Sequence, residues 1–555
     1  MKPITHLAAT LLVLALPRAA AAQPQDETVA GRGFAIPQTR EARALAETAL
    51  GHIEAKRWSE AFTTLQTLLV QHRGEVLLPP NVVAPDGTPL DELARVGAAT
   101  WASERLAELP EQARELYATR YGTEARESLE LARRTRDTRA LLEVARRYPL
   151  TASASDAWWT LGDLEFERGE LENARTSWQR AAELGRLRGA QPPPGAAARL
   201  ELVASLATPT QETVADLPGA DAVGWTQVFA RPQAITPFSQ GSSNCIHPFV
   251  SGDTVLVTDT LQLFAFDAWS GEKRWETPEP AGWSAVDRGE YRPDGKRPIA
   301  RREFFENLHK RSLMVRPAAA AGVAVAALQI PWTAVYNETY QNYEITNVIP
   351  ERRLYAFDLA TGRELWNHRP PLIWDGMSGE LETRLSVAAP PVIAGSRVVV
   401  PYYRMQGRVD LHVGCFDLYT GQRLWSSSLI SGQMALNMFG RQLHEYNAPP
   451  VTIAGDKVIV STQLGSVAAL DLYSGDIAWQ TLYEQIPVPR ASHWEIVDRP
   501  QVFATAPAVA SGDLVVCAPI DSYEFFALEL ATGRRLWSRP HSSFRRPSRE
   551  LLALL

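Results

Sequence analysis

The sequence predicts two unlike halves: an all-α helical-repeat domain followed by an all-β propeller. Three observations predict this. Residues 41–205 lack strand alternation and are rich in Ala, Leu, Glu and Arg, which favour helix. From residue 245 onward the hydrophobic period shortens to two, the period of a strand. One unit, an apolar strand ending in an acid, a turn with Gly and a strand with Trp, then recurs five times. A chain of 555 residues is too long for one core, and 45% hydrophobic with 21% charged residues is the composition of folded protein.

Residues 1–22 read as an export signal. Lys2 is the positive start, Leu7 to Leu16 the apolar run, and Ala20, Ala21 and Ala22 a small-residue cleavage site. That run is too short to anchor in a bilayer, and no later run predicts a transmembrane anchor. No Cys follows it, so a lipid anchor is not expected. The expected location is the periplasm or cell envelope, soluble or peripherally attached to a membrane. Removing residues 1–22 takes away Lys2 and Arg18, moving the net charge from −7 to about −9. A nucleic-acid partner, which needs a basic field, is therefore not expected. Residues 23–40 read as a flexible N-terminal segment.

Within 41–205, Trp158, Leu161, Gly162, Ala174, Trp178 and Ala181 match the spacing of tetratricopeptide-like repeats. Gly162 permits close approach of two helices, Gly169 supplies their turn, and the two alanines leave room for bulky partners. An earlier pair, 41–55 and 58–71, places Ala61, Leu65 and Leu68 at second-helix positions. Residues 103–147 predict further helices with Glu–Arg pairs outside. The Pro-rich stretch 76–90 reads as an insertion loop, 189–195 as a stiff loop before a last short helix, and 206–222 as a linker. Such a domain is either a protein-binding groove or a cap on the propeller.

The β-rich half spans 223–540, with 541–555 an irregular tail. Its five copies are Asp267, Gly271, Trp275; Asp358, Gly362, Trp366; Asp417, Gly421, Trp425; Asp471, Gly475, Trp479; and Glu529, Gly533, Trp537. Gly follows the acid by four residues and Trp by eight in every copy. The acid accepts hydrogen bonds from turn amides, Gly permits the positive φ, and the Trp offers a flat surface to the next unit. Further turns are expected at Gly252, Gly322, Gly395, Gly455 and Gly512. The cleanest copy reads as strands 450–454, 457–462, 466–471 and 477–482, and four antiparallel strands make one blade.

These repeats resemble the PQQ-type propeller superfamily, which includes the outer-membrane assembly factor BamB and the quinoprotein alcohol dehydrogenases. The stretch from Ala356 to Trp366 matches that family's tryptophan-docking motif. The resemblance implies a ring of commonly eight blades, of which five are visible. Residues 223–230, with Trp225, resemble an outer strand completing a last blade. An incomplete C-terminus is expected, with a true five-bladed ring the alternative.

Connections 276–312, 331–352, 367–389, 402–411, 426–448 and 480–505 are expected to gather as long loops on one face, where function concentrates. They carry Trp283, Arg301, Trp332, Tyr336, Tyr340, Tyr343, Trp374, Arg404, His444, Asn447, Arg490, His493 and Trp494, side chains suited to a binding face or to packing on the rim. No catalytic, cofactor or metal residue is predicted. His444 and His493 could meet near the axis, with hydrogen-bonded structure preferred over a metal site. Cys245, Cys415 and Cys517 read as small core residues, with a disulfide left open. The resemblance implies an exported, non-catalytic scaffold for other envelope proteins. Its alternatives are a PQQ-dependent oxidoreductase with calcium, for which no adjacent Cys pair or calcium ligand set is found, and a sensor or polymer-binding propeller.

Overall fold

The computed structural model describes residues 33–80, 94–190, 195–207, 224–226, 245–290, 314–340, 343–367, 386–405, 408–433, 446–487, 502–503 and 505–543, and within 332–351 the backbone alone. The expected export signal 1–22, the expected linker 206–222 beyond Ala207 and the tail beyond 543 lie outside these residues.

Among the described residues, eight helices build the first half: α1 Arg40–Glu54, α2 Trp58–Val70, α3 Ala98–Ala107, α4 Glu111–Thr135, α5 Thr138–Arg147, α6 Ala152–Glu167, α7 Leu171–Leu187 and α8 Ala196–Ala207. Their starts are chemical. The Thr39 hydroxyl accepts the Ala42 amide, Asp137 accepts the Arg139 and Ala140 amides, and Thr151 accepts the Ala154 amide, each satisfying an otherwise orphaned donor. Helices α6 and α7 form the expected repeat. Gly169 turns between them at φ +79°, and the Trp178 ring lies where a Cβ on Gly162 would sit, 2.5 Å away.

Two predicted loops become strands. Phe34–Ala35 pairs antiparallel with Ser431 and Gly432, and the Phe34 ring fills the space a Cβ on Gly465 would take. The expectation of flexibility through residue 40 therefore fails from Phe34 onward, because a buried aromatic and a sheet edge hold the chain. Val76–Leu77 pairs with Arg95–Gly97, which in turn pairs with Trp479 and Gln480. The insertion expected at 76–90 thus begins inside a sheet. Gly97 is required there, since a Cβ would overlap the Ile477 carbonyl.

Among the described residues the second half contains five four-stranded blades. Blade I is Phe249–Ser251, Thr254–Thr258, Leu263–Asp267 and Lys273–Glu276; blade II is Ala318–Ala320, Val323–Tyr340, Tyr343–Asp358 and Glu364–Asn367. Blade III is Val392–Ala394, Arg397–Met405, Val409–Asp417 and Arg423–Gly432; blade IV is Thr452–Ala454, Lys457–Ser461, Ser466–Asp471 and Ile477–Leu482; blade V is Val509–Ser511, Leu514–Cys517, Glu524–Glu529 and Arg535–Pro540. Each is a simple antiparallel meander.

One contact links them in series. Trp225, Trp275, Trp366, Trp425 and Trp479 lie against Gly271, Gly362, Gly421, Gly475 and Gly533, where an added Cβ would come within 2.4–2.7 Å of the indole. All five glycines have φ near +70°. Each indole N–H also donates to a backbone carbonyl of the receiving turn, at Ala268, Leu359, Leu418, Leu472 and Leu530, over 2.9–3.0 Å. The acids fasten the same turns: Asp267, Asp358, Asp417 and Asp471 each accept one or two amides two or three residues on. Glu529, one methylene longer, takes the Thr532 hydroxyl instead. Trp537 is half-buried and packs edge-on against Phe525 of its own blade.

Two expected loops prove to be hairpins. Most of 331–352 continues the paired strands of blade II, in register from Thr333↔Pro350 to Tyr340↔Tyr343. The 402–411 connection pairs as far as Met405↔Val409 in blade III. Runs of β-branched and aromatic residues, as in Thr333 to Tyr336 and Tyr343 to Ile349, were the available signal; aromatic content was read as a loop surface instead.

Two predictions follow from this packing. Trp425→Ala should cost about 3–5 kcal/mol in urea unfolding, and Gly475→Ala should be comparably harmful because it adds both a clash and a strained φ. The second concerns the N-terminal tie, where Glu75 accepts the Thr39 hydroxyl and bonds His72 at 3.0 Å. That bond raises the His72 pKa above its ordinary 6.5 against the opposing effect of burial. A raised histidine pKa stabilises fully below 6.5 and loses that contribution as pH rises through the folded value. Melting temperature should therefore fall between pH 6 and pH 8 by more in the native chain than in His72→Gln.

Candidate functional site

The expected binding face is only partly brought together. Arg301, Trp374, His444, Arg490, His493 and Trp494 lie outside the described residues. Trp332, Tyr336, Tyr340 and Tyr343 lie on the long blade II hairpin, their side chains outside the description. Trp283 is a correction: it sits on a short helix, Trp283–Asp287, 1% exposed, with its indole N–H donating to the Gln329 carbonyl at 2.9 Å. It packs a connection onto blade II and offers nothing to a ligand. Arg404 is tied across its hairpin to Asp410 at 2.7 and 3.0 Å, and Asn447 accepts from Arg352 at 2.8 Å. Cys415 and Cys517 are buried free thiols, each pushed up to about 12 by burial. No group of three or more His, Cys, Asp or Glu among the described residues is placed to hold a metal ion.

The opposite face, with the short turns, carries the developed chemistry. There α5, α6 and α7 sit on the turns of blades III and IV. Arg180 of α7 donates to Asp456 at 2.7 Å and to the repeat acid Asp471, while its guanidinium lies 4.7 Å over Tyr473 and 5.0 Å over Trp158. Arg146 of α5 grips Asp476 through two nitrogens, with Arg73 Nε 3.7 Å from the same carboxylate. On blade III, Arg397 donates to Glu165 of α6 at 3.1 Å and its guanidinium lies 4.2 Å from the centre of the Tyr473 ring. The Ser396 hydroxyl donates to Glu170 at 2.6 Å, and the Tyr473 hydroxyl donates to Asn173.

Burial and charge oppose each other along this seam. Burial pushes the Asp471 carboxyl up, yet Arg180 outweighs it and holds the group below the ordinary carboxylate value. At Glu165 burial wins and the pKa is raised, although Arg397 and the Ser177 hydroxyl both favour the charged form. Beside the ion pairs is a cavity of about 380 Å³ walled by Leu69, Trp158, Leu184 and Leu187, with Arg73 and Asp476 at its polar end.

None of these seam residues was singled out from sequence except as repeat motif or helix packing: Asp471 as a turn acid, Trp158 as a repeat position. The signal that existed was Asp471-Leu472-Tyr473-Ser474-Gly475-Asp476, a turn with a second acid and a bulky ring. Arg180→Ala should leave Asp456 and Asp471 repelling each other at a part-buried seam. The expected loss is roughly 3 kcal/mol, read as faster proteolytic release of the helical half with the blades still intact.

A family described as outer membrane protein assembly factor BamB matches residues 350–550. No curated protein matches the chain. Among solved structures, BamB from Moraxella catarrhalis is similar at 14% identity and a TM-score of 0.26, covering 52% of this chain and 58% of that one. Quinohemoprotein alcohol dehydrogenase from Comamonas testosteroni is similar at 15% identity and a TM-score of 0.33, covering 54% and 43%. The chain thus spans about half the length of these structures. Likeness at that level supports no conclusion about chemistry.

Proposed function

From a chain whose second half is a propeller of PQQ-like repeats, similar to BamB, and whose first half is helical repeat, we propose a binding scaffold of the cell envelope that holds other proteins against its blades. The observation that carries this reading is the seam. The short-turn face of blades III and IV already holds a folded helical domain, through arginine–carboxylate pairs and stacked rings. Turn acids that only closed their own turns would have no reason to recruit arginines from another domain. Tyr, Trp and Arg are the side chains that contribute most at protein interfaces. The export signal in 1–22 supports a place outside the cytoplasm. No helix among the described residues is long and apolar enough to cross a membrane.

Pyrroloquinoline quinone with calcium provides the discriminating experiment. A chain that binds neither keeps its melting temperature when both are added at saturating concentration. A rise of several degrees would instead report cofactor binding and move the reading to an oxidoreductase. In parallel, chemical cross-linking in intact cells should trap the full chain with a discrete envelope protein.

A further inference from the structure

Blade IV meets the helical half through a particular set of side chains. Asp456 follows the first turn glycine, Asp471 is the repeat acid, Tyr473 lies two residues on, and Asp476 five residues on. Position 478, seven residues past the acid, is Ala, so the blade has no arginine there for its acid pair and takes Arg180 from α7. Blade I carries the same set at the same offsets: Asp253, Asp267, Trp269 and Glu272. Blades II, III and V do not, having Arg363, Gln422 and Arg534 at the last of these positions. The difference in blade I is Arg274 in place of Ala478. Arg274 reaches back to Asp253 and Asp267, filling from its own strand the place that Arg180 fills in blade IV.

What remains on blade I is uncovered. Tyr473 is 2% exposed beneath the helices; Trp269 is 76% exposed. Asp476 is gripped by Arg146, whereas the exposed Glu272 carboxylate has no side-chain partner among the described residues. Three acids against Arg274 leave the turn two charges negative, and the adjoining Lys273 is neutralised by Glu276. A ring this exposed beside an unpaired carboxylate matches an arginine and an apolar edge, the pair that α5 and α6 present to blade IV as Arg146 and Trp158.

We infer that the turn face of blade I is a second docking socket, for an arginine-bearing helix of a partner protein, with Trp269 as the stacking platform and Glu272 as the arginine's acceptor. The assignment deepens the scaffold reading and rests on it. In the test, the full chain is labelled with 5-fluorotryptophan and the Trp269 resonance is identified by its loss in Trp269→Phe. An acetylated, amidated peptide with the sequence of residues 137–150, which contains Arg146, is then titrated. The Trp269 resonance should move, Glu272→Gln should weaken the response about tenfold, and a peptide with Arg146 and Arg147 replaced by Gln should leave it in place. A Trp269 resonance unmoved at millimolar peptide overturns the assignment. So does one moved equally by the glutamine peptide, or a response confined to the tryptophans of the seam. In those cases a cross-linked envelope partner retained by Trp269→Phe would leave the scaffold reading standing.

Discussion

Everything in the β-rich half depends on an indole lying flat against a glycine of the next blade. The ring needs a surface with no Cβ, and the glycine is available because its turn already requires a positive φ. Hydrophobic contact brings the two together, and the N–H to carbonyl bond sets their registration. Because the donor comes from one blade and the acceptor from the following one, each contact is a joint between sheets. Four such joints in series place the five meanders at a constant relation to one another, and Trp225 makes the same contact with blade I from outside the blades.

That regularity makes the exceptions informative. The acid of the motif closes its own turn in every blade, and in blades I, IV and V a second acid, Asp253, Asp456 or Asp513, follows the glycine of the first turn. In blades I and IV one arginine bridges the two carboxylates. Blade I satisfies them from its own outer strand through Arg274, and blade IV from another domain through Arg180. The same electrostatic need is met inside the blade in one case and by domain docking in the other. A structural motif thereby acquires a recognition role without any change to the fold.

The helical half is correspondingly more than an appendage. Its N-terminal strand extends blade III, its internal hairpin extends blade IV, and its later helices cover the short-turn face. It therefore grips the outer edge of two blades and one of their ends. The buried Glu165–Arg397 pair, which packing alone would disfavour, is consistent with a contact chosen for where it puts the domain rather than for stability.

The primary structure by itself determined the blade count among described residues, the strand limits of blade IV to within a few residues, the α6–α7 pair and the five indole positions. All of these are local periodicities or short turn rules, readable within some thirty residues. Tertiary structure alone decided that Phe34 would join a sheet some four hundred residues away and that Trp283 would be buried. It also decided that 331–352 would pair as a hairpin, and that the chemically developed face would be the one with short turns. Those outcomes depend on which surfaces meet, and no spacing along the chain records that Arg180 and Asp471 will share one bond.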